Sequence, residues 1–174
     1  MAEDRNTGGR TGETTGPRIL PMRAADRGQL LALNNDHAAE LSLLDAAAFE
    51  RLTANAFHAR QTDDASGLVV AFDETGDYQS PNFLWFKERY ERFVYVDRVV
   101  VAPAARGRGL ARALYDSVFA AAEAAGTPRI VCEINLAPPN PGSIRFHEAL
   151  EFRQVGTATL DGGAKTVGYY ERLR

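Results

Sequence analysis

Residues 95–126 read YVDRVVVAPAARGRGLARALYDSVFAAAEAAG, and the fold follows from how this stretch changes character along its length. Val96, Val99, Val100 and Val101 are β-branched and predict a strand. Pro103 stops it, because proline has no backbone N–H to give to a neighbouring strand. Beyond Arg106-Gly107-Arg108-Gly109, the residues Leu110, Ala113, Leu114, Val118, Ala121, Ala122 and Ala125 recur at helical spacing. Gly126, with Pro128 just after it, marks the end of that helix. A strand, a glycine-bearing turn and a helix therefore follow in close succession. Such a turn directs free backbone N–H groups and the positive end of the helix dipole at one point, which suits a phosphate.

Two common phosphate motifs do not fit this turn. The dinucleotide fingerprint needs a small residue where Arg112 stands, and the P-loop needs a Lys-Ser/Thr pair where Leu110-Ala111 stand. What is present is Arg106-x-x-Gly109-x-Ala111, preceded by Val101-Ala102-Pro103. A second run, Asn140-x-x-Ser143-x-x-Phe146-His147-x-x-x-Glu151-Phe152, follows further on. On these residues the chain resembles the GNAT superfamily of acetyl-CoA-dependent N-acetyltransferases, over residues 18–174. The resemblance implies an α/β fold with a mixed, strongly twisted central sheet of six to seven strands and helices on both faces.

The same resemblance implies acetyl-CoA as co-substrate. The backbone of Val99, Val100 and Val101 would pair with the pantetheine arm like an added strand. The N–H groups of Arg106, Gly107, Arg108, Gly109, Leu110 and Ala111 would hold the pyrophosphate, with Arg106 and Arg108 as charge partners. Asn140 would touch the cofactor. The chain departs from the family pattern at two places: His147 stands where a tyrosine is usual, and Glu151 where a glycine closes the helix. The stretches SPNF…YVDRVVV and PPNPGS…FH also resemble a subgroup of acetyltransferases defined by sequence, which supplies no substrate.

The rest of the chain is read from its 174 residues in order. Residues 1–17, rich in Gly, Thr and charge, predict a disordered tail, and residues 18–174 one domain. A net charge of −3 gives no reason to expect nucleic acid or a membrane as partner. The absence of a long apolar run points to a cytoplasmic protein, and the family resemblance is compatible with a homodimer. One cysteine excludes an internal disulfide, and three scattered histidines predict no metal site. Cys132, mid-strand among apolar residues, reads as a buried inert thiol.

Short apolar runs predict a first strand at Ile19, Leu20 and Met22, and helices over residues 24–33 and 44–56. Residues 57–61 and 68–72 read as a hairpin, 129–136 as a strand, and 141–150 as a helix capped by Asn140. Two last strands flank Asp161-Gly162-Gly163. Residues 73–92 carry Tyr78, Trp85, Phe86 and Tyr90 without strand alternation and predict a loop with a short helix. Trp85, Phe86 and Tyr90 either line a substrate pocket or cover one end of the sheet.

Acetyl transfer to an amine needs a base for the ammonium and benefits from an acid for the leaving thiolate. Glu133 and Asp97 fall on adjacent strands if the family topology holds, and both are candidate bases. His147, in the family's tyrosine register, and Tyr95, on the strand face of Asp97, are candidate acids. Holding amine and thioester together can supply about 7–11 kcal/mol, against ~3–5 kcal/mol from acid–base help, so positioning outweighs it. Three functions fit: acetylation of the primary amine of a small molecule, acetylation of a protein or peptide, and acyl-CoA binding without catalysis.

Overall fold

The computed structural model describes residues 16–174, so all but Gly16 and Pro17 of the expected tail lies outside the described residues. The chain opens with β1 (Ile19–Pro21), a 3-10 turn (Ala24–Asp26), α1 (Arg27–Asn35) and α2 (Ala46–Ala54). The hairpin β2 (His58–Thr62) and β3 (Gly67–Asp73) follows, then α3 (Pro81–Lys87) and β4 (Val94–Val101). The second half runs α4 (Leu110–Ala124), β5 (Arg129–Ala137), α5 (Pro141–Ala149), β6 (Arg153–Leu160) and β7 (Lys165–Leu173).

The seven strands form one sheet in the order β1-β2-β3-β4-β5-β7-β6. Every neighbouring pair is antiparallel except β4 and β5, which are parallel. Leu30, Leu33, Phe49, Phe83 and Phe86 from α1, α2 and α3 cover one face together with Tyr95 and Val131. Leu114, Tyr115 and Val118 of α4, with Leu150 and Phe152, cover the other. Because both faces are covered, β3 is buried along nearly its whole length, and its sequence reads as a continuous apolar run.

Local chemistry corrects several expected boundaries. Met22 lies outside β1, because pairing with β2 stops at Pro21. The helix expected over residues 44–56 is trimmed at both ends. Asp45 is its N-cap and accepts from the Ala48 N–H at 2.7 Å, and Asn55 is the C-cap. Its one buried side chain is Phe49, beside the half-buried stripe of Leu44, Ala48, Leu52 and Ala56. Arg92 lies beyond α3, which ends at Lys87. Its guanidinium donates to the carbonyls of Ala125 and Gly126.

Trp85 stacks on Tyr169 with centroids 4.2 Å apart, and the Arg89 guanidinium lies 4.0 Å over its other side. Gly156 of β6 makes room for it: a Cβ there would come within 2.7 Å of the Trp85 ring. Phe86 is fully buried between Phe93, Tyr95 and Tyr169. Tyr90 lies under the Arg129 guanidinium, 3.9 Å from it. These aromatics seal one end of the sheet.

Glu151 occupies the position after α5 with φ 66°, a left-handed conformation that costs a non-glycine residue about 1–2 kcal/mol. Its side chain is 81% exposed and reaches Arg172 at 3.3 Å, an ion pair that contributes little. Glycine would remove the strain but adds freedom to the unfolded chain, about 0.4–1 kcal/mol. Glu151→Gly should therefore raise the unfolding free energy by about 0.5–1 kcal/mol, read from the urea midpoint at constant m-value.

Candidate functional site

The two parallel strands at the centre of the sheet separate soon after they meet. Val94 pairs with Ile130 and Tyr95 with Val131, and the ladder ends there. The cause lies in β4. Opposite β3, Val70 faces Arg98 and Ala71 faces Val96, so Asp97 is an extra residue without a partner. The bulge bends β4 away from β5 and opens a cleft between the two strands.

Two connected hollows fill that cleft. A recess of about 110 Å³ lies between Asp97 and Arg98 on β4 and Glu133 and Ile134 on β5. A channel of about 490 Å³ runs from it along Val99, Val100 and Val101 to Arg106 and Ala111. Asn140, Ser143 and His147 of the α5 region wall both hollows, and Glu40 and Leu41 roof both.

At the outer end of the channel stands the glycine turn. Gly107 and Gly109 have φ of 76° and 74°, and a Cβ on either would meet nothing, so backbone conformation rather than crowding requires glycine. The turn delivers the chain into α4 with Gly109 as N-cap. The Arg106 N–H, expected among the phosphate donors, is instead spent on Pro103 O at 3.3 Å, and the next N–H with a backbone partner is that of Ala113, on Gly109 O at 3.0 Å. The N–H groups of residues 107–112 meet no acceptor among the described residues, and together they form an anion cradle.

The two arginines of the turn differ. Arg106 lines the channel, and its guanidinium is 3.3 Å from His37 Nε2. His37 Nδ1 donates to Leu33 O at 3.0 Å, so Nε2 is the acceptor for Arg106. Arg108 corrects an expectation. Its side chain turns to Asp64 at 3.3 Å, outside the cleft, because Asp64 caps the β2–β3 turn nearby. Only the backbone of Arg108 serves the cradle.

Glu133 is half-buried in the recess, and Tyr95 donates to its Oε2 at 2.8 Å. Burial, and then the charge of Asp97, push the Glu133 carboxyl up to about 7. Asp97 is differently placed. Tyr78 donates to its Oδ1 at 2.6 Å and Arg98 Nε to its Oδ2 at 2.6 Å, with the Asp97 and Arg98 side chains only 6% and 4% exposed. Both Asp97 oxygens are held at 2.6 Å, whereas Glu133 accepts from Tyr95, with the Asn82 amide also near enough to lower its pKa. Of the two candidate bases, Glu133 carries no guanidinium partner and has the raised pKa.

The two candidate acids are not placed to donate. Tyr95 is fully buried, and its hydroxyl proton lies on Glu133, which it orients. His147 Nδ1 sits 2.8 Å from Ser143 O, a group that can only accept, so the ring proton is there. Nε2 must then accept, and Tyr115 donates to it at 2.6 Å. Burial lowers the pKa of His147, in keeping with a neutral imidazole. Both ring nitrogens of His147 are thus engaged within the protein, and the ring walls the cleft.

Tyr115 was hidden in the sequence one residue from the apolar stripe of α4. Its signal was an aromatic ring in an otherwise alanine-rich helix. Glu40 and Leu41 had no signal, since no regular element carries them. Cys132 is buried at the recess floor as a free thiol, with burial raising its pKa. Trp85, Phe86 and Tyr90 line neither hollow; the expectation of a substrate-binding role gives way to the sheet-sealing one, because α3 turns Trp85 and Phe86 onto Tyr169 of β7, and Tyr90, past the end of α3, packs on Phe86 under Arg129. Among the described residues no group of three His, Cys, Asp or Glu is arranged to hold a metal ion, and no helix is long and apolar enough to cross a membrane.

Residues 31–152 match the family described as the acetyltransferase (GNAT) family. A phosphinothricin N-acetyltransferase of Streptomyces coelicolor is 46% identical over 115 residues, 64% of this chain and 62% of that protein. The match thus spans less than two thirds of that relative. The Arabidopsis thaliana NAA60 structure in complex with acetyl-CoA superposes with TM-score 0.71 at 16% identity, covering 91% of this chain and 99% of the other. A ribosomal-protein-alanine N-acetyltransferase from Brucella melitensis gives TM-score 0.69 at 19% identity, with 90% and 99% covered. At these identities the two structures speak for the fold.

The Tyr115–His147 pair bridges α4 and α5 beneath the cleft and yields a test of stability. His147→Phe strands a buried hydroxyl and Tyr115→Phe strands Nε2, so each should cost about 1–3 kcal/mol. The double variant should cost clearly less than the sum, because both unpaired groups are then gone. Denaturant unfolding of the four proteins gives the coupling energy.

Proposed function

The chain belongs to the GNAT acetyltransferase family, and from that premise we propose that it transfers an acetyl group from acetyl-CoA to the primary amine of a small molecule. The observation that carries this reading is the continuity of the cleft. One passage joins the anion cradle of residues 107–112, the channel along β4 and the carboxylate-bearing recess. The residues fit such a donor. The cradle takes the pyrophosphate, Arg106 supplies a charge beside it, and the bent half of β4 leaves backbone groups of Val99, Val100 and Val101 for the pantetheine amides. Asn140, whose Oδ1 caps α5 by accepting from the Ser143 N–H at 3.1 Å, walls the channel from the other side.

The acceptor occupies the recess beneath Glu40 and Leu41. At about 110 Å³ this space suits a compact amine, and the roof narrows the approach that a peptide would need. The name of the Streptomyces coelicolor relative supports the same class of acceptor. Glu133 takes a proton from the ammonium group, and the freed nitrogen attacks the thioester carbonyl. The new N–C bond forms as the C–S bond breaks, and a second amine proton leaves on the sulfur. Glu133 contributes an acid–base term of ~3–5 kcal/mol, and alignment in the cleft a larger one of about 7–11 kcal/mol.

Two measurements test the reading. Acetyl-CoA should bind with a Kd in the micromolar range, on the order of −8 kcal/mol. Gly109→Glu should weaken binding at least about 30-fold, since it forces a side chain into a left-handed site and puts a carboxylate at the cradle. Unchanged binding in calorimetry would remove the cradle from the site.

The second measurement is the pH profile of transfer. A base with pKa about 7 is active only when deprotonated, so kcat/KM should fall as pH drops below about 7. Glu133→Gln should lower turnover by roughly 10²-fold or more, abolish that acidic limb and leave acetyl-CoA affinity within about twofold. An acidic limb that persists in the variant assigns the titration to another group.

A further inference from the structure

Two neighbouring asparagines end α1, and the first is buried to 0% exposure beside the core leucines Leu30 and Leu33. An amide in such a place costs about 1–3 kcal/mol unless every group is paired. Here each is. Asn34 Nδ2 donates to Asn35 Oδ1 at 2.9 Å and to Ser42 O at 3.0 Å, and Asn34 Oδ1 accepts from Arg98 Nη1 at 2.7 Å. Asn35 repeats the pattern on the next turn of chain. Its Nδ2 donates to Leu44 O at 2.9 Å, and its Oδ1 accepts from Leu44 N at 3.0 Å.

These bonds form one connected path. It begins on the backbone of residues 42–44, passes through Asn35 and Asn34 to the Arg98 guanidinium, and ends on Asp97 in the bulge of β4. Turn bonds fix the first part of the segment it holds, with Glu40 and Leu41 donating to His37 O, but the hydrogen bonds of residues 42–44 come from the two asparagines. Residues 36–45 form no helix or strand, Glu40 is exposed, and the Leu43 side chain is 75% exposed. Yet Glu40 and Leu41 of this segment roof both the recess and the channel. Ordering a free loop at each encounter with substrate costs roughly 1–2 kcal/mol per residue, and a tether built into the fold removes that cost beforehand.

We propose that Asn34 and Arg98 are positioning residues for acetyl transfer, which hold the roof of the acceptor recess at a fixed height above the bulged strand. This rests on the reading of the recess as the acceptor site. Neither residue touches reacting atoms. Asn34 acts through Ser42 and, with Asn35, through Leu44; Arg98 acts through Asp97, which it fixes against Tyr78. The cradle of residues 107–112 is not held by this path, but Glu40 and Leu41 also border the channel, so the acceptor site should respond more strongly than the donor site.

The test compares wild type with Asn34→Leu and Asn34→Asp. Leucine is close in volume and suits the apolar neighbours, but it loses all three bonds. Aspartate keeps an oxygen for Arg98 and loses the nitrogen that donates to both Ser42 O and Asn35 Oδ1, so it spares the buried guanidinium its partner if leucine impairs folding. Hydrogen exchange of the amides of residues 40–44 should accelerate at least about tenfold in either variant, while those of residues 94–101 and 129–137 keep their wild-type rates.

With phosphinothricin as acceptor, or failing that the best substrate from a panel of primary amines, the acceptor KM should rise about tenfold or more. The KM for acetyl-CoA should rise clearly less, because the roof borders only part of the channel and the cradle is untouched. In addition, Leu41→Ala should raise the acceptor KM in the wild type but add little in the Asn34→Leu background, a non-additivity that a general loss of stability does not produce. Unchanged exchange at residues 40–44, or equal rises in both KM values, overturns the proposal. If the wild type acetylates no amine of the panel, the reading of the site fails instead, and the exchange rates alone still decide whether the tether exists.

Discussion

The extra residue that β4 carries at Asp97 is the constraint on which the rest of this structure depends. In an unbroken strand Asp97 and Arg98 would point to opposite faces of the sheet. The bulge lets both turn toward the side of α1 and α3, where Arg98 pairs with Asp97 at 2.6 Å and reaches Asn34. The same irregularity ends the pairing of β4 with β5 after two residues, and the site lies in the gap. A seven-stranded sheet without it would bury the backbone groups that the cleft now leaves open.

What that gap contains is a division of labour between two carboxylates. Asp97 sits with both oxygens engaged and a guanidinium beside it, so its charge is structural. Glu133 accepts from Tyr95, has no guanidinium beside it and carries a carboxyl pushed up to about 7. The unequal hydrogen bonding around two acids of the same sheet separates their roles more firmly than their positions do. It also explains why a histidine can stand in the family's tyrosine register. His147 gives its proton to Ser143 O and accepts from Tyr115, which closes the cleft floor without requiring a proton donor there.

The energetic weight falls on geometry. The covered sheet fixes β4 and β5, the left-handed glycines aim free N–H groups along one axis, and the asparagine pair fixes the roof. Each device is a small local choice, and each acts by keeping the cleft in shape before any ligand arrives. Holding reactants in place offers more than proton transfer does for this kind of reaction, so a site built mainly of positioning devices is the expected outcome.

Much of this was legible in the sequence because its causes are local. The valine run, Pro103, the glycines of the turn and the stripe of α4 each act within a few residues, as does the Asn140-Pro141 helix start. They determined the order of elements and the anion-suited turn, and with the family resemblance they put Asp97 and Glu133 on adjacent strands. Glu133 could be named from its strand but not separated from Asp97, since that choice turns on Tyr78, Tyr95 and Arg98, which lie on other parts of the chain or on the far side of a bulge. The roles of Asn34, Tyr115, Glu40 and Arg108 were likewise invisible. Each depends on a partner 8 to 64 residues away, or on which wall a side chain meets. Periodicity assigns a residue to a face; only the folded chain decides which hydrogen-bond partner waits there, because burial makes that partner obligatory and distance in sequence says nothing about it.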